Sequence, residues 1–179
     1  MEENQKSVTM NGITWGVIAA VLVILYGLIL YLLDQSLNTS ISWIGYLFFI
    51  GIMIWGTITY RKTLPGGFMS YGKAFSTSFM IVLFATIIAG IYSYLFFSFI
   101  APDLIQDIIE VSRQQNLERN PDITDEQLEQ AMQMTAFFFT PIGMAIAGFF
   151  SQLIIGTVVA LITSIFLKKE DKTLGSSAI

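Results

Sequence analysis

Residues 74–100 read AFSTSFMIVLFATIIAGIYSYLFFSFI, an unbroken run without a charged side chain lying between Lys73 and Asp103. A bilayer core about 30 Å thick is crossed by roughly 20 apolar residues of helix, so this run is long enough to span it. Only helices and closed barrels satisfy their backbone groups in lipid, and the apolar residues here are continuous rather than alternating, which selects a helix. Three further uncharged runs occupy 7–33, 35–60 and 130–167. The expected fold is therefore an all-α membrane protein with four transmembrane helices, near 13–33, 41–60, 75–100 and 142–167, in one membrane domain covering 13–167 of the 179 residues. The short link 34–40 makes the first two spans a tight hairpin. Charged residues form only 12% of the chain, against about 25% in soluble domains. No piece left between the spans is long enough for a separate soluble core.

The fourth run raises one alternative, because Pro141 can divide 130–167 into two spans. The first of them would carry Gln130, Gln133, Thr135 and Thr140, and the basic tail would move to the translocated side. Both consequences are unfavourable, so four remains the expected number.

Basic residues set the orientation. Lys6 lies in the tail 1–12, Arg61, Lys62 and Lys73 between spans two and three, and Lys168, Lys169 and Lys172 in the tail 168–179. The opposite side has Arg113 and Arg119 among eight acids. Both termini are thus expected in the cytoplasm, on a multi-pass protein of the cell inner (plasma) membrane. Glu2 and Glu3 offset Lys6, and the apolar run 12–33 exceeds a signal core with no small-x-small site after it, so the first span is expected to be retained. Trp15, Tyr31, Trp43, Tyr60 and Tyr71 fall near span ends, and Phe137, Phe138 and Phe139 precede the fourth, as an aromatic belt does.

The segment 101–135 is the one sizeable polar stretch, and it is expected to form an extracytoplasmic helical hairpin between helices three and four. Pro102 ends or kinks the third span, 103–115 reads as a helix, and 116–121 as a break. The second helix has a full start signal: Thr124 can cap the Gln127 amide while Gln127 reaches back, and Ile123 can staple to Leu128. Eight acids against two arginines give the segment a net charge of −6. Asp122, Asp125, Glu126 and Glu129 form its candidate acidic face, read as a solvated surface or else as a cation-collecting mouth or a docking face for a basic partner. Asp125 and Glu129, one turn apart, repel rather than coordinate, and no metal-loop spacing is present.

Inside the spans, small residues mark where helices can approach closely. Gly12, Gly16 and Ala20 recur every four residues in the first span, and Gly148, Gln152, Gly156, Ala160 and Ser164 do so in the fourth. Gln152 is the most polar side chain well inside a span, and Thr86, Ser93 and Tyr94 of the third span are its candidate partners. No Asp, Glu, Lys, Arg or His lies within any span, which argues against proton relays, ion-coupled carriers and voltage sensors. The chain has no cysteine and no histidine, which removes thiol, disulfide and imidazole chemistry. The scattered serines and threonines have no base to activate them, so no enzymatic activity, cofactor or metal is expected.

Between spans two and three, Pro65-Gly66-Gly67 is a turn, and 68–75 reads as a short amphipathic approach to the third span. Arg61, Lys62 and Lys73 are the candidate cytoplasmic headgroup contacts. The basic pair after span two, the Gly66-Gly67-Phe68 to Phe75 stretch, Ala101-Pro102-Asp103, the run from Ile123 to Ala131 and the Lys168-Lys169 exit together resemble domain-of-unknown-function family 4199. The resemblance covers about residues 10–170. It implies a small bacterial integral membrane protein of four helices, and it brings no activity, cofactor or catalytic residue with it.

The expected function is a non-enzymatic accessory, scaffold or lipid- or protein-binding subunit, in contact with the bilayer and with another membrane protein or a second copy of itself. The alternative is an oligomeric channel or small-solute carrier with an acidic outer mouth. No nucleic-acid partner is expected.

Overall fold

The structure is a computed structural model and describes residues 7–169. Glu2, Glu3, Lys6 and Lys172, which enter the orientation argument, lie outside the described residues. Helix α1, Val8–Leu32, begins where Ser7 sits in extended backbone and its side chain accepts a hydrogen bond from the Met10 amide. The cap covers one of the amides a helix start leaves open, so the helix begins at the cap rather than where the apolar run becomes dense.

The link that follows turns through Asp34, whose φ of 55° is left-handed. Asn38 then caps a single turn, α2 (Thr39–Ser42), by accepting from the Ser40 amide. Helix α3, Ile44–Lys62, ends with Arg61 and Lys62 in its last turn, where cations suit the negative end of the helix dipole. Pro65–Gly67 forms a 3-10 turn with both glycines at φ 65°, a conformation that favours glycine.

Residues 68–70 do not form the amphipathic approach expected from the sequence. Met69 instead exchanges two backbone hydrogen bonds with Lys169, each 2.8 Å. That pairing holds the strand-like backbone open until helix α4, Tyr71–Leu95, begins. Beyond Leu95 the helix widens into a π turn, Phe96–Ile100, in which the Ala101 amide donates to the Phe96 carbonyl at 2.8 Å. Pro102 has no amide with which to continue the ladder, so the segment ends there.

Helix α5 runs Leu104–Arg119, four residues past the end read from the sequence at 115. The Asn116 side chain donates to the Ser112 carbonyl at 2.9 Å and stays within the helix, so the break falls at Asn120. Helix α6, Asp125–Thr135, starts as the sequence indicates: Thr124 Oγ1 accepts from the Gln127 amide, and Gln127 Oε1 accepts from the Thr124 amide. A 3-10 turn, Ala136–Phe139, leads to α7, Pro141–Leu167. Thr140 Oγ1 accepts from the Gly143 amide at 3.1 Å, and proline at the first helical position costs nothing there.

Four helices are long and apolar enough to cross a membrane: Val8–Leu32, Thr39–Lys62, Tyr71–Ile100 and Pro141–Leu167. No β-strand occurs among the described residues beyond the Met69–Lys169 bridge.

Among the described residues, those up to Ile88 and those from Gln152 form one compact unit, and Ala89–Ser151 a second. The core of the first unit gathers Ala19, Ala20, Phe49, Met53, Ile81, Val82, Ala85 and Ala160. Polar side chains tie the same helices together. The buried Asn11 side chain donates to the Gly56 carbonyl at 3.3 Å, joining α1 to α3. The Thr57 and Ser78 hydroxyls lie 2.9 Å apart, joining α3 to α4, and Thr57 donates onward to the Met53 carbonyl. Trp15, an aromatic-belt residue by sequence, packs across Gly56 and lies 6.0 Å from the Trp55 ring. In the second unit, Ala101, Ile105 of α5 and Leu128 of α6 are the buried apolar side chains of the polar segment.

Candidate functional site

The small residues of α1 serve contact inside the first unit. A Cβ at Gly12 would lie 2.6 Å from Met80 Cβ, and one at Gly16 would lie 2.7 Å from Phe84 Cβ and 3.1 Å from the Ala85 nitrogen. Ala20, one turn on, is buried in the same core. Glycine at these positions lets α1 and α4 approach backbone to backbone.

The stripe on α7 divides. Gly156, Ala160 and Ser164 are buried, and a Cβ at Gly156 would lie 2.5 Å from Val82 Cγ1. Gly148 is exposed, and a Cβ there meets nothing within 4 Å. Gln152 is half-buried and makes no side-chain hydrogen bond among the described residues. Of its candidate partners, Thr86 is fully buried with its Oγ1 unbonded, so no hydrogen bond joins it to Gln152.

Of the basic candidates, Arg61 meets the carboxyl end of α7. Arg61 Nη1 donates to the Leu167 carbonyl at 2.9 Å, satisfying an acceptor that the helix end leaves open. Lys73 Nζ stands 5.8 Å from the Tyr60 ring centroid, and Lys169 Nζ 5.3 Å from that of Phe68. Lys62 is exposed. Arg61 is thus committed to the protein itself, while Lys62 and Lys73 remain on the surface.

The four acidic candidates are not brought to one place. Asp122 lines a hollow of about 520 Å³ with Arg119 and Gln127. Glu129 lines another groove, of about 550 Å³, with Ile109, Glu110 and Arg113 of α5, Met132 of α6 and Phe139 of the 3-10 turn. Asp125 and Glu126 lie in the first turn of α6, where negative charge suits the helix dipole. Among the described residues no group of three His, Cys, Asp or Glu is placed to hold a metal ion.

Two groups were not singled out from the sequence. Glu110 and Arg113 share a face of α5 by their spacing of three, which was legible, but that they line one groove with Glu129 of α6 was not. Asn11 was visible as a lone amide next to Gly12, and only the fold shows its bond to Gly56.

The family described as "Protein of unknown function (DUF4199)" matches residues 14–169. The chain belongs to the DUF4199 family. The match takes in the four membrane-length helices from Thr14 onward, the Met69–Lys169 bridge and the α5–α6 groove, while Asn11 and Gly12 lie just before it. No curated protein matches the chain, and no solved structure does.

Proposed function

We propose that this DUF4199 chain is a non-enzymatic accessory or scaffold subunit of the cell inner membrane, which binds a second membrane protein or lipid through the exposed part of the α7 stripe. The observation that carries this reading is the division of that stripe. Gly156 and Ala160 are consumed by packing inside the chain, whereas Gly148, and Ser151 close by, are exposed. An exposed small residue on a span lets a partner helix come close.

The polar inventory supports a structural role. Thr57, Thr77, Thr157 and Ser164 each donate to the carbonyl four residues earlier, so these hydroxyls are engaged with their own helices. The charged residues of α3 and α4 are Arg61, Lys62 and Lys73, close to the helix ends.

The Arg61–Leu167 bond and the Met69–Lys169 bridge gather Arg61, Lys62, Lys73, Lys168 and Lys169 toward one end of their unit. By the positive-inside rule that end is cytoplasmic, which makes α5 and α6 an outer helical hairpin and leaves both termini inside. The chain has no native cysteine, so single cysteines report topology cleanly. Asn120→Cys is expected to react with an impermeant maleimide from outside, and Leu64→Cys is not.

The deciding experiment is native mass spectrometry of the chain extracted in its own lipid patch. A second polypeptide at fixed stoichiometry, lost on Gly148→Leu with thermal stability unchanged, is the expected result. Retention of every complex in that variant overturns the docking face. Cation flux in proteoliposomes that falls when Asp122, Asp125, Glu126 and Glu129 are neutralised would instead favour the channel reading.

A further inference from the structure

We propose that the groove between α5 and α6 seats the headgroup of a phospholipid carrying both a phosphodiester and a primary ammonium, the ethanolamine class. Its volume of about 550 Å³ falls in the range of roughly 300–1,000 Å³ common to small-molecule sites. Arg113 stands in its wall with Glu110 and Glu129, yet none of the three forms an ion pair among the described residues. One guanidinium and two carboxylates, all unpaired, match a ligand bearing both signs of charge. A purely anionic headgroup meets two opposing carboxylates, and a purely cationic one meets the arginine. The guanidinium fork suits a phosphate, and a primary ammonium brings N–H donors for the carboxylates. A quaternary ammonium has no such donors.

The source is a lipid rather than a free zwitterion because of what completes the groove. Ile109, Met132 and Phe139 supply apolar wall beside the charges. Phe139 is two residues before Pro141, where the fourth membrane-spanning helix begins. The turn that carries Phe139 is held against the first turn of α7, since a Cβ at Gly143 would overlap the Phe137 carbonyl. The charged groove is thereby fixed at the end of a span, at the level where headgroups lie. The inference rests on α7 being a membrane span, and it is independent of the Gly148 docking face.

The test is native mass spectrometry of the delipidated full chain in detergent, given equal amounts of palmitoyl-oleoyl phosphatidylethanolamine, phosphatidylglycerol or phosphatidylcholine. Retention of the ethanolamine lipid about tenfold above the other two is expected, as the loss of one charge-assisted contact gives. Arg113→Gln and Glu129→Gln should each bring it down toward the choline level, while Gly148→Leu leaves it unchanged. Both altered side chains are exposed and unpaired, so the melting temperature should not move. If either variant fails to fold, Arg113→Lys keeps the charge and is expected to keep part of the preference. Equal retention of the three lipids, or indifference to these substitutions, overturns the proposal. Displacement of the lipid by free O-phosphoethanolamine at equal concentration would overturn the choice of a lipid source. Failure here with membrane insertion intact leaves the topology and docking readings standing.

Discussion

Exchanging Gly16 for alanine adds one methyl group where α1 and α4 meet backbone to backbone. The new carbon would lie 2.7 Å from Phe84 Cβ and 3.1 Å from both the Ala85 nitrogen and the Ile81 oxygen. Carbon contacts settle at about 3.5–4.0 Å, so the helices must separate by roughly 1 Å. None of the three neighbours can rotate away, since two are backbone atoms and the third is a Cβ. Overpacking costs about 1–3 kcal/mol, and immovable neighbours place this case near the top of that range. Alanine recovers about 1 kcal/mol in helix propensity, which leaves a net loss of about 2 kcal/mol. Gly27, on the same helix, is exposed and has nothing within 4 Å of an added Cβ. There the propensity gain stands alone, and Gly27→Ala should stabilise by about 0.5–1 kcal/mol. Unfolding by SDS titration in mixed micelles, followed by tryptophan fluorescence, measures both variants in one assay. If the two substitutions shift stability in the same direction, the close α1–α4 approach is refuted.

Removing the cap on α7 with Arg61→Ala should cost about 1.5–3 kcal/mol, the range for a hydrogen bond to a charged group, read in the same titration. A double-mutant cycle on Thr57→Val and Ser78→Ala should return a coupling near 0.6 kcal/mol, the mean for membrane interhelical bonds, and a value of zero would mean that the hydroxyls do not meet. Thr124→Ala breaks the capping box and should speed amide exchange in the first turn of α6, at a cost of about 1 kcal/mol, while exchange within α1 stays unchanged.

Helices long enough to span were legible because a charge in lipid is so costly that uncharged runs mark the spans almost by themselves. The α6 start was legible for a different reason: the capping box is a local pattern, complete within Thr124 to Gln127. What resisted reading was everything that depends on two distant segments meeting. Nothing near Phe68 signals that Met69 pairs with Lys169, so an amphipathic approach was the natural expectation. The α7 stripe looked uniform from Gly148 to Ser164, and only the position of Val82 against Gly156 divides it into an inner and an exposed part. The same holds for the polar segment, where four acids looked like one face and only Glu129 lines the groove that Arg113 also lines. The π turn at Phe96–Ile100 was hidden because a proline just beyond a run of aromatics reads equally well as a simple helix end.

The Met69–Lys169 bridge also sets an order on biosynthesis. Its two residues are 100 positions apart, more than half of the chain, and the ribosome delivers Lys169 only after the last span has been made. Until then the loop ahead of α4 has two backbone groups without their final partners, and Arg61 has no Leu167 carbonyl to cap. Domains emerge and fold from the amino end, yet here three helices can be in place while their shared end is still unlatched. Arrival of the last residues of α7 therefore closes a contact that earlier synthesis leaves open, and a nascent chain halted before Lys169 would hold a looser start to its third span than the finished protein does.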